Sequence, residues 1–200
     1  DNLKVTGAAM RRIYGPERPD NGNIVGNDNT FINESEGICF ITRIDNFIFR
    51  ANRNIENFSD LSALEEVHRL SVVNNDGLVD LQGLEAISEL EELTINSNEN
   101  LTSYTGLDNL TRTGPALLVD NPLPTDFTGL GALITVDGDL DINENTALES
   151  MDGLGVQTVT GEVEIKSNPV LCEADAQAWA DSIDITGPAI IFDNLQDCIP

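Results

Sequence analysis

The side chains best able to do chemistry here are one histidine, three cysteines and thirty-five carboxylates. His68 is the only histidine, so it cannot build a multi-histidine metal site, and no nucleophile is paired with it in sequence. It reads as a surface or packing residue. Carboxylates supply general acid/base pairs and oxygen ligands for Ca²⁺. They are so abundant that no one pair stands out as catalytic. There is no Gly-rich phosphate loop and no CxxC motif. The expectation is a chain that is not an enzyme and has no catalytic residue and no obligatory cofactor.

Ten basic residues against thirty-five acidic ones leave a formal charge of -25. A phosphate backbone or an anionic membrane would be repelled, which argues against nucleic acid as a partner. No run of about 18 apolar residues is present, so direct membrane insertion is not expected. Asp1-Asn2-Leu3-Lys4 has no Met and no apolar signal core, so the start reads as mature or trimmed. N-x-S/T sequons begin at Asn33, Asn57, Asn100 and Asn109. They are glycosylation candidates if the source is a secreting eukaryote, and chance occurrences in an Asn- and Thr-rich chain otherwise.

A repeat must position these groups. Asn29, Asn52, Asn75, Asn98, Asn121, Asn145, Asn168 and Asn194 are spaced 23, 23, 23, 23, 24, 23 and 26 residues apart. Five and three residues before most of them stand apolar pairs such as Phe47/Phe49, Leu70/Val72, Leu93/Ile95 and Leu140/Ile142. That period-2 piece predicts a strand with one face buried. Asn then ends the strand, and stacked Asn side chains can form a ladder. Apolar residues three, six and nine places later suit a loose or 3₁₀-like return path, and Gly83, Gly106, Gly129 and Gly153 allow a close approach. One coil cannot bury its own stripe, whereas stacked coils bury each other's.

Leu90-x-x-Leu93-x-Ile95-x-x-Asn98 resembles the leucine-rich repeat. Val136-x-Gly138-x-Leu140-x-Ile142-x-x-Asn145-x-x-Leu148-x-x-Met151-x-Gly153-Leu154 is more similar to its receptor L-domain variant, found in receptor ectodomains, fungal wall proteins and bacterial surface proteins. The likeness runs from about Asn46 to Cys198 and weakens before it. It implies an α/β solenoid: a right-handed coil with one parallel β-sheet, repeats of about 23 residues and a C-terminal helical cap. It also implies a secreted or cell-surface location. The expected division is an N-terminal cap and atypical first coil (1–45), a repeat solenoid (46–171) and a C-terminal cap (172–200).

Cys172, Ala176, Trp179 and Ile183 follow i, i+4, i+7, i+11, one face of a helix. A last strand, Ala189–Phe192, then returns towards Cys198. A Cys172–Cys198 disulfide is expected to close this cap, worth about 3 kcal/mol by chain entropy. Cys39 is left over, either as a free buried thiol or paired with a removed segment or another chain.

The outward strand positions should form one exposed sheet face. Ile48, Ser71, Thr94, Leu117, Asp141, Glu164 and Ile190 make one column; Arg50, Val73, Asn96, Val119, Asn143, Lys166 and Phe192 make the other. Asp141 should stack beside Glu164, and Asp139, Asp141, Glu162 and Glu164 are a weak Ca²⁺ candidate. The candidate ligand face is Ile48, Arg50, Ser71, Val73, Thr94, Asn96, Leu117, Val119, Asp141 and Asn143. It is either a recognition surface, as the resemblance implies, or a row of solvated strand positions. The leading expectation is a non-catalytic module that binds a protein or glycan there. The alternative is a structural subunit of a wall, sheath or filament whose partners are copies of itself.

Overall fold

The computed structural model describes residues 23–27, 42–196 and 198. It is a parallel-strand β-solenoid of about seven turns. Eight strands form the main sheet in chain order: β1 (Asn23–Asn27), β2 (Arg43–Arg50), β3 (Glu66–Val73), β4 (Glu92–Asn96), β6 (Ala116–Val119), β8 (Leu140–Asn143), β10 (Val163–Lys166) and β12 (Ala189–Phe192). All neighbours are parallel, and equivalent repeat positions sit side by side, as in Leu70–Leu93, Leu93–Ala116 and Ala116–Leu140. The 23-residue ruler therefore sets the sheet register directly. Asn29, Asn33 and Cys39, on which several expectations rest, lie outside the described residues.

Buried asparagines form the expected ladder. The Asn75 N–H and Nδ2 donate to Asn98 Oδ1 at 3.0 and 3.1 Å, and the Asn98 N–H and Nδ2 donate to Asn121 Oδ1 at 3.2 and 3.1 Å. Each Nδ2 also reaches back to a strand carbonyl, as Asn98 does to Val72 at 3.1 Å. Each of these ladder amides thus satisfies backbone groups that the end of a strand leaves free. The residue before each ladder Asn is left-handed: Ala51, Asn74, Ser97, Asp120, Glu144, Ser167 and Asp193 have φ of 53–60°. This turn ends the pleat and swings the Asn inward.

The return path is a chain of tight turns. Backbone i→i−3 bonds recur as Leu78→Asn75, Leu84→Leu81 and Ile87→Leu84, and one turn, Ser59–Leu61, is a formal 3₁₀ helix. Steps of three bring Leu78, Leu81, Leu84 and Ile87 into the core, all fully buried. Phe58 packs edge-on against Phe47 and Phe49, which are tilted to each other, near the first described coils, with centroids 5.2–5.9 Å apart. Tyr104 stacks on Phe127 at 5.8 Å. Burial raises the Tyr104 phenol well above its usual range.

The fold departs from the one-sheet expectation. A second parallel sheet of four strands runs along the return side: β5 (Arg112–Thr113), β7 (Thr135–Val136), β9 (Thr158–Val159) and β11 (Asp184–Ile185). In β2 and β3 the two sheets are still one long strand. From β5 onward a corner splits them, and backbone bonds such as Gly161→Gly138 and Gly187→Gly161 carry the stacking around it. The coils themselves are not α/β, because their return paths contain turns and short strands in place of helices.

Val136 and Val159 line the inner side of this second sheet, in one repeat column with Val67 and Leu90 of the earlier coils, and Thr113 interrupts that column. Thr113 is 0% exposed and its Oγ1 has no hydrogen-bond partner. A buried hydroxyl without a partner costs about 1–3 kcal/mol. Thr113→Val keeps the shape and is expected to raise stability by about 1 kcal/mol. Urea unfolding checks this; an unchanged or lower midpoint counts against it.

At the C-terminal end stands helix α1 (Glu173–Asp181). It is shorter than the apolar spacing suggests. Cys172 is its N-cap and Ile183 lies beyond it, and the buried positions are Ala176 and Ala180, with Trp179 only partly covered. Glu173 also closes the ladder. Its Oε2 accepts the Asn194 N–H at 3.3 Å, the place that the next Asn Oδ1 takes in other coils. The ladder therefore ends on a carboxylate supplied by the cap. Cys172 and Cys198 are disulfide-bonded, with Cα atoms 5.7 Å apart. Ala189, placed inward by the repeat, is exposed, because β12 is the outermost strand and no further coil covers it.

Candidate functional site

The uncovered face of the main sheet collects the two outward columns. Register places Ile48 beside Ser71, Ser71 beside Thr94, Thr94 beside Leu117, Leu117 beside Asp141, Asp141 beside Glu164 and Glu164 beside Ile190. Arg50, Val73, Asn96, Val119, Asn143, Lys166 and Phe192 align in the same way. Most are half-buried by their neighbours on adjacent strands; Arg50 is exposed and Phe192 is 44% exposed. The middle is aliphatic, through Val73, Leu117 and Val119.

Asn143 does not belong to the free face. It is 7% exposed, its Nδ2 donates to Glu164 Oε1 at 2.9 Å, and its Oδ1 accepts the Lys166 N–H at 3.1 Å. Crowding between the long side chains of β10 covers it, which no single-strand pattern reveals.

Asp141 stacks beside Glu164, as expected, but the four carboxylates do not converge on one point. Among the described residues no group of three or more His, Cys, Asp or Glu forms a metal-binding set. Asp139 Oδ1 instead accepts the Glu162 N–H at 2.8 Å, and Glu164 is taken by Asn143 and by the Lys166 ammonium. The Glu164 hydrogen bond holds Lys166 above the ordinary lysine range. The Ca²⁺ expectation for Asp139, Asp141, Glu162 and Glu164 is corrected accordingly.

Asp141 is left without a hydrogen bond or ion pair among the described residues. Desolvation first, then the charges of Glu164, Asp139 and Glu162, push its pKa up, while Lys166 opposes them. A raised carboxyl pKa in the folded state means that ionisation costs stability at neutral pH, and the cost disappears as pH falls through that pKa. Asp141→Asn is therefore expected to stabilise by roughly 0.5 kcal/mol near neutrality, after allowing for solvent screening. The gain should vanish in acid. Urea midpoints at both pH values test this; a gain that persists in acid would assign the effect to packing.

The three described sequons differ. Asn57 Oδ1 accepts both the Ser59 N–H and its hydroxyl, at 3.1 and 2.7 Å. Asn100 and Asn109 donate through Nδ2 to the carbonyls of Asp76 and Glu85 in the preceding coil. The amide nitrogens that a glycan would join are thus already used in stacking at Asn100 and Asn109.

A groove of about 640 Å³ lies beside the splitting point of the sheets, lined by Glu65, Glu66, His68, Glu89, Glu91 and Arg112 among others. It arises where residues 88–91 form only an isolated bridge, Glu89–Arg112, between the long strand β3 and the short strand β5, a feature the repeat pattern does not announce. His68 sits between two carboxylates, with Nε2 3.2 Å from Glu66 and Nδ1 3.8 Å from Asp45. Ser88 lines the same groove but makes no hydrogen bond to the imidazole. Arg112 is paired with Asp137. Both basic side chains of the groove are thus already engaged by carboxylates.

No helix among the described residues is long and apolar enough to cross a membrane. Compared with family models, with characterised proteins and with solved structures, the chain matches none.

Proposed function

We propose that this chain is a non-catalytic recognition module of the leucine-rich-repeat or receptor L-domain kind, secreted or held at a cell surface, that binds a protein or glycan through its sheet face. One observation carries the reading: an eight-stranded parallel sheet has one face that no described element covers. Parallel sheets ordinarily bury both faces. Here the open face offers aliphatic Val73, Leu117 and Val119 between polar neighbours, the composition of a contact surface with a polar rim. The Cys172–Cys198 bridge suits an oxidising location.

The competing reading, a filament or wall subunit assembled coil to coil, draws on the open edge of β12 and on exposed Phe192 and Leu195. The cap weakens it, because Glu173 already occupies the acceptor position that another coil's Asn would take.

Light scattering with negative-stain imaging, with and without Ca²⁺, decides between them. A compact particle of 21.7 kDa is expected; filaments or sheets would overturn the module. A ligand screen follows, in which Leu117→Asp and Val119→Asp abolish binding. A ligand that binds both variants as well as the parent rules out this face.

A further inference from the structure

We propose that the partner of the sheet face is a cationic, amphipathic polypeptide segment, with aliphatic side chains over Val73, Leu117 and Val119 and a basic side chain at Asp141; this rests on the face being the recognition surface. Register puts Leu117 and Asp141 on neighbouring strands, so an apolar and an ionic contact are offered side by side, about 4.8 Å apart. On the C-terminal side Glu164 is paired directly with Lys166, whereas Asp141 makes no hydrogen bond or close ion pair among the described residues and feels Lys166 only at longer range. The face thus offers a carboxylate without a close partner, at the border of its central aliphatic patch.

The shape argues against other occupants. Eight strands make a strip of about 35 Å by two side chains' width, on the order of 400 Å². A stable pairing with a second copy needs about 800 Å² per partner, and the charge of -25 opposes it. Acidic glycans meet the same repulsion, and a neutral glycan would want aromatic platforms, of which the face has Phe192 alone, at its edge. A single segment of chain, extended or helical, fits the strip, and basic groups complement it.

The probe is a labelled short peptide of alternating leucine and lysine, titrated against the intact chain by fluorescence anisotropy. Alternating leucine and glutamate, and oligolysine of equal charge, serve as comparisons. The leucine/lysine peptide is expected to bind best of the three. Asp141→Asn and Leu117→Ser should each weaken it by about tenfold. Glu149→Gln, an equal charge change at an exposed site on the return path, should leave it unchanged. Asp141→Asn is expected to be more stable than the parent, so misfolding cannot mimic its loss of binding. Equal weakening by Glu149→Gln, or tighter binding of oligolysine, would mean diffuse attraction and overturn the proposal. So would absence of binding. Leu117→Asp acting on a ligand of other chemistry from the screen would then still uphold the face itself.

Discussion

Asn98→Ala is expected to cost about 4 kcal/mol. The substitution removes the acceptor of the Asn75 N–H and the donor to the Val72 carbonyl. Both are backbone groups in the dry interior, and neither gains water in exchange. Each unpaired buried group costs about 1–3 kcal/mol, and the missing amide adds a cavity term. Against a total of about 5–15 kcal/mol for a domain, the loss takes a large share. Unfolding followed by circular dichroism, alongside the fluorescence of the single Trp179 in the cap, measures it. Asn98→Asp sharpens the test. It retains an acceptor for Asn75 but sets a carboxylate oxygen against the Val72 carbonyl, so it should be markedly worse at neutral pH than in acid. A loss under about 1 kcal/mol for Asn98→Ala would mean that the ladder decorates the stack and does not hold it.

Gly106→Ala should be at least as damaging. Gly106 has φ +111°, and a Cβ there would lie 2.0 Å from the Leu81 carbonyl oxygen and 2.2 Å from its carbon. The obstacle is the backbone of the preceding coil, which moves only if the coils part. Left-handed strain and overpacking together are expected to exceed about 4 kcal/mol, seen as loss of cooperative unfolding or of soluble protein. Gly131→Ala is the control. Its added Cβ meets only the Gly153 carbonyl oxygen, at 3.8 Å, and the reduced freedom of the unfolded chain should stabilise by about 0.5 kcal/mol. Similar outcomes at the two positions would show that close coil spacing is not what these glycines serve.

The parts of the fold readable from residues alone are those that repeat without exception. The ladder asparagines and the apolar pairs before them recur at nearly constant spacing, so register followed from arithmetic. The left-handed residue before each Asn was hidden because its column mixes Ala51, Ser97, Glu144 and Ser167 with the Asn and Asp that tolerate that conformation. The second sheet escaped because two-residue strands carry no measurable period, and Thr113 breaks the one apolar column that marks it. At the site, the outward columns were legible as alternation. The burial of Asn143 was not, since it depends on the reach of Glu164 and on the Lys166 N–H from the neighbouring strand. Nor did composition distinguish Asp141 from thirty-four other carboxylates; the pairing of Glu164 with Asn143 and Lys166 is what leaves Asp141 without a close partner.

The bridge between Cys172 and Cys198 has a mechanical side. Strands stacked along one axis bond chiefly to the coils on either side. Tension applied between the chain ends therefore loads these bonds one coil at a time, like a zip fastener. Each detached repeat of 23 residues releases roughly 80 Å of contour. The last coil behaves differently: the covalent tie shorts out the segment between its two cysteines, so helix α1 and strand β12 add no slack. Pulled between its ends, such a chain would lengthen through the coils that precede Cys172 and hold the bridged segment at fixed length.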